Sequence, residues 1–162
     1  MTDPALPLSF RIVEDDLSGA QTQQLIAHHL GAMRDTCAID SVHALDVEAL
    51  RHPSLTVWSA WHDGRLAGIG ALKMLDAQRG EVKSMRVHDD FLRAGAGRAV
   101  LRHIIGVARG RGLASLWLET GVEPRFVPAH RLYAAEGFVV CGPFADYRLD
   151  PMSTFMTLDL TG

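Results

Sequence analysis

At 162 residues, with 48% hydrophobic and 22% charged side chains, the chain has the size and make-up of a single globular domain over 1–162 that buries a core without staples. Its net charge of −3 supplies no basic field for nucleic acid, and no run approaches the roughly 20 apolar residues of a membrane span. Cys37 and Cys141 are far apart and lack CxxC spacing, which argues against a disulfide scaffold and a thiolate metal site; with no signal-like start, they point to the cytoplasm.

Alternation over Ser9–Val13 predicts a first strand. Asp16 or Ser18 is a candidate cap for a helix in which Leu25, Ile26, His29, Leu30 and Met33 recur at helical spacing. Thr36 to His43 reads as a loop, and Leu45 to Leu50 as a short helix stopped by His52-Pro53. A strand over Leu55–Trp61 follows, with Trp58 and Trp61 on opposite faces. Asp63-Gly64 is a two-residue hairpin signal, since both turn positions require positive φ. Leu66–Met74 returns, Gln78-Arg79-Gly80 turns again, and Glu81–Val87 alternates as the next strand.

After a glycine loop at 93–97, Val100, Leu101, Ile104, Ile105 and Ala108 mark a helix that Gly110 and Gly112 close. Leu113–Glu119 is a strand, Pro128–Glu136 a helix ended by Gly137, and Phe138–Cys141 and Thr154–Leu160 the last strands. The class is mixed α/β: an antiparallel meander, then strand, helix, strand, helix, strand. Strand 81–87, its helix and strand 113–119 form a parallel crossover of the usual right hand.

The loop Arg93-Ala94-Gly95-Ala96-Gly97-Arg98 opens that crossover helix. A helix start has unpaired N–H groups and about half a positive charge, and glycines let several of those groups converge on phosphate oxygens. Arg93, Arg98 and Arg102 add charge there, a combination suited to a diphosphate. A dinucleotide fingerprint would need a third glycine where Val100 stands, and a Walker loop needs Gly-Lys-Ser/Thr. Alone, the two glycines also fit a tight turn that binds nothing.

Val87 to Leu101, taken with Ala129-His130-Arg131-Leu132-Tyr133-Ala134-Ala135-Glu136-Gly137-Phe138, resembles the two motifs of the GNAT N-acetyltransferases, at their expected separation. Lys83-Ser84-Met85-Arg86, Leu118-Glu119-Thr120-Gly121 and Gly142-Pro143-Phe144-Ala145-Asp146-Tyr147 look like the bacterial YsnE-like branch. The chain departs from the pattern at Leu92 (often Arg or Gln), Arg93 (often Gly) and Asp89 (commonly Pro).

The resemblance implies a GNAT fold: a mixed, mostly antiparallel sheet of about seven strands and about four helices, with strands splayed at a coenzyme A site. It implies acetyl-CoA as co-substrate, no metal, and a small-molecule or peptide amine as acceptor. Arg93, Ala94, Gly95, Ala96, Gly97 and Arg98 would hold the diphosphate; Met85, Arg86 and Val87 would lie along the pantetheine arm. Tyr133 matches the general acid. Glu81 and Glu119 both remain candidates for the base. His43, Thr120, Phe126 and Tyr147 would face the acceptor. Dimers are common in the family, so a homodimer is the assembly implied. His28 and His29 are adjacent on a helix and cannot form the i,i+4 pair of zinc proteases. The rival reading is a non-catalytic acyl-CoA-binding module of the same fold.

Overall fold

The computed structural model describes residues 8–36 and 45–162. Its elements in chain order are β1 (Arg11–Glu14), α1 (Ala20–Thr36), α2 (Val47–Leu50), β2 (Leu55–His62), β3 (Arg65–Met74) and β4 (Arg79–Val87). They continue with α3 (Ala96–Gly110), β5 (Ser115–Gly121), α4 (Val127–Ala135), β6 (Val139–Cys141) and β7 (Ser153–Asp159). Short 3-10 turns at Asp89–Phe91 and Pro124–Phe126 precede α3 and α4. The seven strands form one sheet in the order β1-β2-β3-β4-β5-β7-β6. All neighbours are antiparallel except β4 and β5, which are parallel and joined through α3.

The strand alternation sorts side chains onto two faces, each covered by helices. On one face Leu25 and Ile26 of α1 and Leu50 of α2 pack on Val57, Leu66, Ile69 and Ala71. On the other, the α3 stripe Val100, Leu101, Ile104, Ile105 and Ala108 packs on Leu72, Val82, Leu116 and Leu118. Trp58 belongs to the α3 core and Trp61 to the α1 core, as their spacing requires.

Turn chemistry follows the sequence closely. Asp63 and Gly64 take φ of 49° and 76°, the two left-handed positions of a type I′ hairpin. Gly137 takes φ 103°, and the Phe138 N–H returns to the Tyr133 carbonyl at 3.0 Å, closing α4.

Some expected boundaries are corrected. Neither Asp16 nor Ser18 caps α1: Asp16 accepts from the Ser18 N–H and hydroxyl at 3.0 and 2.6 Å, a local turn, and the helix starts at Ala20. Gly112, with φ 79°, makes the left-handed cap of α3, whereas Gly110 is still helical. β4 begins at Arg79, because the turn is made earlier, by Asp76 accepting from the Gln78 and Arg79 N–H groups.

Candidate active site

Two irregularities in β4 create the site. The β3–β4 register slips between Ile69 and Ala71, where Gly70 faces the bulged residues Ser84 and Met85. Ser84 takes φ 56°, in the left-handed region. Gly70 permits this: a Cβ there would stand 2.5 Å from Met85 Sδ and 2.6 Å from Val100 Cγ1. The parallel β4–β5 pairing covers only Arg79–Glu81 against Ser115–Trp117, and then the strands part. A cavity of about 100 Å³ occupies the gap.

Both candidate carboxylates line this cavity, with Tyr133, Thr120, Phe126 and Tyr147. His43 lies outside the described residues. Glu119 on β5 accepts from the Ser153 hydroxyl at 3.1 Å. Burial pushes its carboxyl up from the usual 4.5 to about 7, against the opposing pull of that hydrogen bond and of Lys83. Glu81 is buried and committed: it accepts from Lys83 Nζ at 3.1 Å and from the Tyr147 hydroxyl, which itself accepts from Lys83 at 2.7 Å. Burial and the Glu81 charge keep the Tyr147 phenol well above its ordinary value. Tyr133 is buried edge-to-face on Phe138, and burial, then the Glu119 charge, keeps its hydroxyl protonated far beyond neutral pH. The Phe126 ring rests on Gly121, where any Cβ would overlap it at 2.2 Å.

At the neighbouring helix start, Gly95 has φ 95° and α3 has no side-chain cap. No backbone bond fills the N–H groups of Gly95, Ala96, Gly97 or Arg98 among the described residues, whereas Ala94 N–H bonds to Phe91 O. Arg93 takes φ 62°, which explains the glycine usual at this place in the family resembled. Arg98 and Arg102 are drawn toward Glu136, at 3.8 and 2.9 Å, so part of the positive charge expected here is already balanced. An uncapped helix start beside unpaired strand edges suits a diphosphate with an extended arm. The Met85 side chain packs against the α3 core, and Met85 also lines the cavity. Among the described residues no group of three His, Cys, Asp or Glu could hold a metal ion, and no helix is long and apolar enough to cross a membrane.

Sequence reasoning singled out neither Lys83 nor His29 as a site residue, yet both line the cavity. Each left a signal. Glu81 and Lys83 alternate on one face of a strand, with opposite charges. His29 continues the stripe of buried Thr22, Leu25 and Ile26 on α1. Burial, aided by the charges of Arg86 and Arg125, pulls the His29 imidazole down to about 4, so it is neutral.

Residues 22–138 match the acetyltransferase (GNAT) family. The chain is 50% identical over 151 residues to the uncharacterized N-acetyltransferase YedL of Escherichia coli, covering 93% of this chain and 95% of that one. It is 50% identical over 146 residues to the uncharacterized N-acetyltransferase YsnE of Bacillus subtilis, covering 90% and 97%. The fold is shared with an aminoglycoside 6′-N-acetyltransferase solved with coenzyme A, at TM-score 0.71 and 13% identity, covering 94% of this chain and 98% of that one. With its splayed β4 and β5, its uncapped glycine-led helix and half-identity to two members over nearly their whole length, the chain belongs to the GNAT family of acetyltransferases.

Proposed function

We propose that the protein moves an acetyl group from acetyl-CoA to a small-molecule or peptide amine by direct attack in a ternary complex. The observation that carries this is the gap between β4 and β5, which has a tyrosine and a protonatable carboxylate on its walls and whose β4 edge runs on to Val87, packed against Gly97 at the uncapped start of α3. The fold neighbour solved with coenzyme A supports the choice of donor. Acetyl-CoA, when bound, supplies an acetyl group activated as a thioester.

The residues divide the remaining work. Backbone N–H groups from Gly95 to Arg98 hold the diphosphate, and the unpaired edge of β4 around Met85 to Val87 orients the arm. Glu119 takes the proton that the acceptor ammonium must lose. An ordinary carboxylate falls short of an amine by about 6 pKa units, and burial brings Glu119 to within about 3. Tyr133 keeps its proton at neutral pH and offers it to the departing sulfur. Glu81 is set aside as the base, because Lys83 and Tyr147 already occupy it; its task is to hold the 142–152 loop against β4. Two thiols without CxxC spacing fit a reducing cytoplasm.

The test is a panel of amines with acetyl-CoA, followed by release of free thiol. A Tyr133→Phe variant is expected to bind coenzyme A as the parent does, by calorimetry, and to lose turnover. Equal turnover in that variant would remove Tyr133 from the chemistry. Coenzyme A binding with no thiol release across the panel would favour the non-catalytic module instead.

A further inference from the structure

Among the described residues, three buried side-chain atoms have no hydrogen-bond partner: His29 Nδ1, Ser84 Oγ and Arg86 Nε. A buried polar atom left unmatched costs about 1–3 kcal/mol, so native folds rarely keep one without a purpose. These belong to one neighbourhood. Ser84 and Arg86 sit at the β4 bulge, and His29 on α1 is close enough to Arg86 to feel its charge. Ser84 and His29 line the cavity that holds Glu119. The Asp89 carboxylate lies 3.9 Å from the Arg86 guanidinium and is largely exposed, outside hydrogen-bond reach.

From these contacts we propose that the acceptor is an amine that also bears a carboxylate, held by Arg86 with Ser84 and His29 while its amine faces Glu119. The inference rests on the acetyl-transfer reading and names its substrate class.

The donor inventory selects the charge. Arg86 Nε can only donate, the Ser84 hydroxyl can donate, and a neutral imidazole donates from Nδ1 in one of its tautomers. One carboxylate, with about four lone-pair positions, can accept from all three. A second ammonium at this end would meet Arg86, with Arg125 also within electrostatic range of His29. The same cavity also holds Glu119, which offers a carboxyl to an amine, while Lys83 is engaged by Glu81 and Tyr147. A cavity with Glu119 on its wall, and with Arg86 placed behind the lining residues Ser84 and His29, matches a zwitterion.

The experiment reads preference and donor binding separately. L-amino acids and their primary carboxamides are offered as paired acceptors with acetyl-CoA, and thiol release gives kcat/KM for each. The affinity of the coenzyme A-loaded protein for the N-acetyl forms of both series is measured by calorimetry. At least one acid should exceed its amide by about tenfold or more, the range of a charge-assisted hydrogen bond. Arg86→Gln should bring that ratio to near one, and Arg86→Lys should restore part of it. Amides matching acids throughout, preference for neutral amines or polyamines, or an Arg86→Gln loss that leaves the ratio intact would each overturn the proposal. If Arg86→Gln does not fold, the parent's acid-to-amide ratio decides alone. No affinity for any acid form also counts against the anion site. Failure to bind coenzyme A sinks the acetyl-transfer reading instead, and the acid-to-amide binding ratio, then measured on the free protein, still judges the anion site.

Discussion

The end proposed to hold the donor and the end proposed to hold the acceptor are built from different material. The donor end is made of backbone: the left-handed turn at Arg93 and Gly95, the bare N–H groups opening α3, and the edge of β4 released at the splay. The acceptor end is made of side chains from α1, β4, β5, α4, the 124–126 turn and the 142–152 loop. Backbone geometry tolerates most side-chain changes and fails where φ is forced. A side-chain cavity behaves in the opposite way, because each wall can be altered without unfolding the rest.

Substitutions at the two ends should therefore fail differently. The largest effect is expected from Glu119→Gln, which should cut acetyl transfer by about 10²- to 10⁴-fold while coenzyme A affinity, measured by calorimetry, holds. An equal loss of affinity would mean that the two ends are not separable. Gly95→Val should do the reverse: a branched side chain at φ 95° strains the turn and crowds the phosphate approach. Coenzyme A affinity should fall by at least about tenfold, with the folded circular dichroism spectrum kept.

Smaller effects sharpen the contrast. Burial raises the Glu119 carboxyl in the folded state from 4.5 to about 7. The folded protein thus holds this proton more tightly than the unfolded chain does. The resulting stability is full below about pH 4.5 and is lost as pH climbs through about 7. Glu119→Gln lacks this slope, so denaturant melts should find it about 1–3 kcal/mol more stable than the parent at pH 8, and equal near pH 4. In the parent, kcat/KM should rise through about pH 7 as the carboxyl ionises, a limb the variant's residual activity should lack. Smallest is Arg93→Gly. Arg93 bears φ 62°, and glycine should relieve about 1 kcal/mol of strain, partly offset by the greater freedom of the unfolded chain, so a net gain of a few tenths is expected in a thermal melt.

The same division explains what was legible in the sequence. Positive φ, helix caps and hairpin turns are local demands, so Asp63-Gly64, Gly95 and Gly137 announce themselves in a run of a few residues. The α3 stripe does so through its period. The one-residue slip at Ser84 and Met85 has no such local mark, because it depends on Gly70 in the neighbouring strand. Lys83 and Tyr147 are 64 positions apart, and their link through Glu81 exists only once the 142–152 loop folds back. His29 reads as one more residue of an amphipathic helix until β4 is laid beneath it. The difference between the two candidate carboxylates is equally non-local: Lys83 and Tyr147 occupy Glu81, whereas the Ser153 hydroxyl donates to Glu119.

The early end of the β4–β5 ladder has a practical consequence. Beyond Glu81, β4 amides that face the gap have no strand partner there, so in the free protein they should trade hydrogen for deuterium quickly, unlike the β2–β3 ladder, which stays paired from Leu55 to His62 with one irregularity at Ala60–Trp61. Any molecule laid along that edge would slow the exchange at those amides. Mass spectrometry of this one strand would then report occupancy directly, with neither turnover nor a chosen acceptor needed.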